Sequence, residues 1–191
     1  GFYSKMNDKL KNQFNSEIPS YKEYADIVAT RIQSEFSSLK KHEKPELIIE
    51  PGSAIVADTM FFLSEVVSIK NINNYKIATV SGSKFNITPQ TQNIYLPFKI
   101  ITNSNMSHTS FKYLIAGYTC IESDYLSEEY NGLINEGDFI LFENVGSYSI
   151  VLKPPFIHTN SPVIELKPDN SIELLKVKEK TEHVFKTYKI K

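Results

Sequence analysis

The sequence predicts an α/β segment followed by a β-rich domain. Three observations carry this: one long amphipathic helix, a short fully apolar run stopped by Pro51-Gly52 just after it, and a change beyond about Met60 to short strands separated by turn residues. A chain of 191 residues fits one or two domains and is long enough to bury a sizeable core.

The helix begins at Ser20, after Pro19. In Ser20-Tyr21-Lys22-Glu23 the Ser20 hydroxyl can accept from the Glu23 amide while the Glu23 side chain returns to Ser20, a capping box. Tyr21, Ala25, Val28, Ile32, Phe36 and Leu39 then recur every three to four residues, which predicts a helix from about Tyr21 to about Lys41. Lys40, Lys41 and His42 suit the negative end of its dipole, and Pro45 ends it. Leu47-Ile48-Ile49 has the unbroken apolar character of a parallel strand buried on both faces. Ser53 to Thr59 is expected to be a brief helix after the Gly52 turn.

The β-rich part is expected to contain Phe61-Phe62-Leu63 with Val66-Val67-Ile69, then Lys76–Val80, Tyr95–Ile101, Phe111–Ala116, Phe139–Phe142 and Ser149–Leu152. Asn73-Asn74, Asn131-Gly132, Glu136-Gly137-Asp138 and Pro168-Asp169-Asn170 supply the turns. The last joins Val163–Leu166 to Ile172–Leu175 as a hairpin, and the charged tail from Lys176 to Lys191 holds one helical turn around Glu182 to Phe185. With no repeat and no Gly/Ser linker, the two parts are expected to pack closely.

Composition excludes several classes of function. With 21 basic and 22 acidic residues the net charge is −1, so no global field draws in nucleic acid or an anionic membrane. The longest apolar stretch, Ala54 to Ile69, is interrupted by Asp58, Ser64 and Glu65, which argues against a membrane span. Cys120 is the single cysteine and can form no internal disulfide, which fits a cytoplasmic location. The amino terminus has neither the basic start nor the apolar run of a signal peptide. It also has no initiator Met, so the chain is expected to start inside a larger protein or after a cut.

His42, His108, His158 and His183 are scattered and none is spaced with Cys120 as a ligand pair, so no metal site is expected. Gly52-Ser53-Ala54 is not the five-residue nucleophile elbow of serine hydrolases, and no Walker or Rossmann glycine pattern is present. Three constellations remain. Glu50-Pro51-Gly52-Ser53 follows the apolar run, at the end where backbone amides can meet a phosphate, although Pro-Gly alone also makes an ordinary turn. In Gly117-Tyr118-Thr119-Cys120-Ile121-Glu122-Ser123-Asp124 a thiol lies four residues from a carboxylate, yet Cys120 alone reads as a buried small hydrophobe rather than an active group. Gly146-Ser147-Tyr148 follows the Gly137-Asp138 turn and the strand Phe139–Phe142, and its tyrosine read alone is a packing residue.

Taken in order, these segments resemble the ornithine, diaminopimelate and arginine decarboxylases, the fold type III family dependent on pyridoxal 5′-phosphate (PLP). That family carries Glu-Pro-Gly-Arg, then Cys-(Glu)-Ser-x-Asp or Thr-Cys-Asp, then Gly-Asp-x-Leu-x-Phe, then Gly-Ala-Tyr. Here they stand as Glu50–Ser53, Thr119–Asp124, Gly137–Phe142 and Gly146–Tyr148. Gly1-Phe2 followed by Ile18-Pro19-Ser20 and a helix resembles the stretch after the family's Gly-Gly-Gly phosphate loop, so the resemblance covers almost the whole chain.

The resemblance implies that residues 1–59 are the last βα units of a PLP-binding (β/α)8 barrel and residues 60–191 the C-terminal β-barrel or sandwich domain. It further implies that Glu50 pairs with the pyridine nitrogen, that Gly52, Ser53 and Tyr148 hold the phosphate, and that Cys120 is the proton donor. Asp124 and Glu122 are the acids expected to bind the distal group of an amino-acid substrate, with Glu122 set one residue further from Cys120 than in the diaminopimelate-type motif. Family members are homodimers in which the Cys120-type loop enters the neighbour's site. The aldimine lysine belongs to an N-terminal half that these 191 residues lack, so the fragment alone is expected to be inactive.

Two departures stand out. Ser53 replaces the family's Arg, which keeps a hydroxyl and an amide but loses a fixed charge and bidentate reach. Thr79-Val80-Ser81-Gly82 lacks the aspartate that engages a distal amine in relatives, which favours a substrate with a distal carboxylate or a larger conjugate. The Ser53 departure also leaves open a noncatalytic, decarboxylase-like regulatory or binding protein. A racemase of related architecture fits less well, because the Cys120 motif resembles that of the decarboxylases.

Overall fold

The computed structural model describes residues 19–87, 95–102 and 110–189; Gly1, Phe2, Ile18 and His108 fall outside them. Helix α1 spans Tyr21–Glu35 and starts on the expected capping box, with the Glu23 amide donating to Ser20 Oγ at 3.2 Å and the Ser20 amide to Glu23 Oε2 at 2.7 Å. It stops short of Lys41. The Ser34 and Ser37 hydroxyls donate to the Arg31 and Ser34 carbonyls at 2.8 and 2.9 Å, competing with continuation of the helix, and Lys40, Lys41 and His42 lie beyond its last turn. None of its residues is fully buried, and of the apolar face read from the sequence Val28 and Ile32 are partly buried.

Leu47, Ile48 and Ile49 are irregular and exposed rather than forming a buried strand. A parallel strand needs neighbours on both edges, and no strand lies beside this run among the described residues. The Gly52 turn leads, as expected, into short helix α2, Ser53–Val56, and a 3-10 turn, Ala57–Thr59.

The centre is a six-stranded curled sheet of order β3-β6-β1-β2-β4-β5, made of β1 Phe62–Ile72, β2 Tyr75–Val80, β3 Phe98–Ile101, β4 Phe111–Ala116, β5 Tyr125–Gly132 and β6 Phe139–Phe142. The two apolar pieces read at 61–69 form one strand. Phe62 to Glu65 pair with β6, whereas Val66 to Ile72 pair with β2, across an irregularity between Val66 and Ser68. Such a bulge bends a strand and lets it serve two sheet halves. The β1–β2 hairpin turns at Asn73, which has φ 54°, a conformation asparagine tolerates. β2 pairs with β4 in parallel, and the segment between them contains the short helix α3, Lys84–Ile87.

The core lies inside the curl, with Val66, Val80, Tyr113, Ile115, Ile140 and Phe142 almost fully buried. Phe142 sits between Phe62 and Phe98, ring centroids 6.4 and 5.8 Å away, and burial of its ring contributes roughly 2–3 kcal/mol. Tyr113 is also buried, and its hydroxyl donates to the Ile134 carbonyl at 3.0 Å.

Two further segments differ from the sequence reading. Asn131-Gly132 is not a turn but the end of β5, paired with Lys112 and Phe111 of β4. Ser149–Leu152 is not a strand but one turn of helix, α4, in which the Leu152 amide donates to the Tyr148 carbonyl at 2.9 Å. The hairpin of β7, Val163–Leu166, and β8, Ile172–Lys176, and the terminal turn α5, Thr181–Val184, fall where expected.

Candidate functional site

Gly52 has φ 51° and ψ −120°, a backbone state that side chains with a Cβ seldom adopt. After it the Ala54 amide donates to the Pro51 carbonyl at 3.0 Å and the Ile55 amide to the Gly52 carbonyl at 3.1 Å, so the chain closes at once into α2. The Tyr21 hydroxyl donates to the Ala54 carbonyl and ties α1 to this turn. Glu50 precedes it on exposed, irregular backbone.

The Gly146–Tyr148 segment, almost a hundred residues on, is held against that turn. The Val145 amide donates to the Met60 carbonyl at 3.1 Å and the Gly146 amide to the Ala57 carbonyl at 2.9 Å. A Cβ at Gly146 would lie 1.8 Å from the Val56 carbonyl oxygen, so only glycine allows the approach. Ser147 Oγ then meets Ser53 Oγ at 2.7 Å. Tyr148 adopts φ 64°, an uncommon state for an aromatic residue, and its hydroxyl reaches within 4.0 Å of where a Gly52 Cβ would stand. The Ser149 hydroxyl, donating to the Val145 carbonyl, steadies the turn. The structure thus brings Gly52, Ser53 and Tyr148 together, as expected, and adds Ser147, which the sequence reading passed over.

Cys120, Glu122 and Asp124 lie on a second loop, between β4 and β5, with its own hydrogen-bond network. Cys120 is exposed, not a buried hydrophobe, and so is Glu122. Asp124 is buried. Its Oδ1 accepts from the Ser83 hydroxyl at 2.9 Å and the Lys84 amide at 2.7 Å, and its Oδ2 from the Thr119 hydroxyl at 2.6 Å and the Thr119 amide at 3.2 Å. Four donors occupy the roughly four lone-pair directions a carboxylate has. The Gly117 amide donates to the Asp124 carbonyl at 2.7 Å and closes the loop's base. Beside it the Tyr118 phenol is pushed above its ordinary pKa, by burial first and then by the Asp124 charge.

In the Thr79–Gly82 segment the Ser81 hydroxyl accepts from the Glu65 amide at 3.0 Å and lies 3.2 Å from the Ser64 hydroxyl. Asp138 of the Gly-Asp motif is buried and accepts from the Asn135 amide at 2.7 Å, which makes it the lock of the Gly137 turn. Among the described residues no group of three His, Cys, Asp or Glu side chains is placed to hold a metal ion, and no helix is long and apolar enough to cross a membrane.

Residues 53–146 match the model of the family described as pyridoxal-dependent decarboxylase, C-terminal sheet domain. The diaminopimelate decarboxylase of Methanocaldococcus jannaschii is 24% identical over 166 residues, covering 86% of this chain and 37% of that protein. A crystal structure of the diaminopimelate decarboxylase from M. jannaschii shares the fold with a TM-score of 0.77 at 22% identity, over 93% of this chain and 40% of the other. The Helicobacter pylori enzyme complexed with L-lysine gives a TM-score of 0.73 at 20% identity, over 91% and 41%. The chain spans little more than a third of the length of the curated relatives it matches. On the family match and the ordered motifs together, residues 53–146 resemble the C-terminal sheet domain of the pyridoxal-dependent decarboxylase family.

Proposed function

We propose that this chain is the C-terminal part of a PLP-dependent amino-acid decarboxylase that acts on diaminopimelate or a substrate with a similar distal charged group. The observation that carries the reading is the meeting of the Gly52 turn and the Gly146–Tyr148 turn across the Ser53–Ser147 hydrogen bond. The donor set there fits the cofactor's phosphate: a glycine with positive φ and the hydroxyls of Ser53 and Tyr148. PLP, when bound, supplies an electron sink for the pair of electrons left as CO2 departs. Glu50, one residue before Pro51-Gly52, is assigned to the pyridine nitrogen, where a carboxylate keeps the ring protonated. An N-terminal barrel domain, to which residues 1–59 contribute, is assigned the lysine that holds the cofactor.

Cys120 is assigned to deliver a proton from Sγ to the substrate carbon, in the neighbouring subunit of a homodimer; its exposure at the tip of a braced loop supports this. Glu122, also exposed, is assigned to the substrate's distal group. Asp124 was expected to share that task, but its oxygens are filled by Ser83, Lys84 and Thr119, so we assign it to holding the loop. The H. pylori complex with L-lysine supports the substrate class, since L-lysine is what decarboxylation of diaminopimelate leaves. A cytoplasmic location agrees with the single unpaired thiol.

The test uses the whole protein, mixed with PLP and then with meso-diaminopimelate. A visible absorbance band and release of CO2 with lysine are expected. A protein that shows no band and no CO2 is instead the noncatalytic relative that Ser53 in place of Arg brings to mind.

A further inference from the structure

We propose that Ser147 is a phosphate-binding residue, and that the Ser53–Ser147 hydroxyl pair forms an uncharged grip for a phosphate monoester where relatives use a cation. The inference rests on reading the Gly52 turn as a phosphate cradle. Two hydroxyls 2.7 Å apart share one hydrogen bond, in which one donates and the other accepts. The accepting hydroxyl keeps its own proton, free to rotate toward a ligand. The pair therefore offers one donor whose direction is set by the other hydroxyl, and Tyr148, whose hydroxyl lies within 4.0 Å of where a Gly52 Cβ would stand, offers a second.

The placement of this pair is built into the backbone. Gly146 lets its segment approach Val56 closer than any side chain would permit, and its amide is fixed to the Ala57 carbonyl at 2.9 Å. Ser53 opens α2 directly after Gly52. Neither turn, 50–56 or 145–149, contains a lysine or arginine. A grip made only of hydroxyls and amides has direction but little long-range attraction, so it should depend weakly on ionic strength.

The experiment measures affinity of the whole apoprotein for PLP and for pyridoxal, which lacks the phosphate, in the wild type and in Ser53→Ala, Ser147→Ala, Ser147→Thr and the double alanine variant. Loss of one hydrogen bond to a charged group predicts about tenfold weaker PLP binding in Ser147→Ala. Pyridoxal binding is expected to change less than about twofold, because it reaches no phosphate donor. Ser147→Thr, which keeps the hydroxyl, is expected to stay near wild type, and the double variant to lose less than the product of the single losses. If Ser147→Ala leaves the preference for PLP over pyridoxal intact, or weakens both ligands equally, the assignment of Ser147 is overturned while the cofactor reading stands. If the wild type shows no preference for PLP, the phosphate cradle itself fails, and the inference with it.

Discussion

Replacing Asp124 by Ala removes a buried carboxylate that accepts four hydrogen bonds from two segments, residues 83–84 and Thr119. The Ser83 hydroxyl and the Lys84 amide are left without that acceptor beside a small cavity. A buried polar group left unsatisfied costs about 1–3 kcal/mol, and relaxation of the Thr119 end into water offsets part of the total, so the expected loss is about 3–5 kcal/mol. Asp124→Asn keeps the shape but turns a hydrogen-bearing amide toward two of the four donors, and about half that loss is expected. With an m-value of about 2 kcal/mol per molar urea, Asp124→Ala lowers the unfolding midpoint by about 2 M, as followed by circular dichroism. A local readout accompanies the global one. Cys120 is the sole cysteine of these 191 residues and stands on the same loop, so its rate of reaction with a thiol reagent reports loop order. A peptide map locates the label, and faster modification is expected in both variants. If Asp124→Ala costs less than about 1 kcal/mol and leaves the Cys120 rate unchanged, the carboxylate does not hold the loop.

Gly146→Ala puts a Cβ 1.8 Å from the Val56 carbonyl oxygen and must push the two turns apart. A loss of about 3 kcal/mol in stability is expected together with weakened PLP binding, and a variant that binds PLP like wild type would separate this contact from the cofactor site. Lys153 has its pKa lowered by burial first and then by the nearby Lys176 charge. A depressed folded pKa means that the unfolded chain binds more protons. The contribution of Lys153 to stability is therefore lost as pH falls through the folded value and is present above the ordinary 10.5. Lys153→Met is expected to stabilise the protein at pH 7 and to flatten the rise in stability as pH approaches 10.5; thermal unfolding at several pH values checks this, and an unchanged pH profile would contradict it.

What was readable in the sequence was what neighbours along the chain decide. The Ser20 box links residues three apart, the Pro168–Asn170 turn joins adjacent strands, and Gly137 with Asp138 closes a turn through the Asn135 amide. The site motifs were also found, as matches to a family pattern. Asn131-Gly132 has turn chemistry but pairs with Lys112 and Phe111 of β4, a longer-range partner that outcompeted the local signal. The apolar run Ser149–Leu152 is instead made into one helical turn by a left-handed Tyr148 whose carbonyl takes the Leu152 amide. Leu47–Ile49 shows the reverse case, a strand-like run with no described strand to pair with.

The sequence by itself determined the order of a helix ahead of a β-rich domain, the Ser20 cap, the Asn73, Gly137 and Pro168–Asn170 turns, and which short segments match the family's motifs, because each depends on residue type at close spacing. Only the tertiary structure decided that Ser147 meets Ser53, that Cys120 is exposed, and that Asp124 is saturated by Ser83, Lys84 and Thr119 rather than left for a ligand. Those outcomes rest on hydrogen bonds and close approaches between segments tens of residues apart, and no spacing along the chain encodes which donor will reach a given acceptor once the sheet curls.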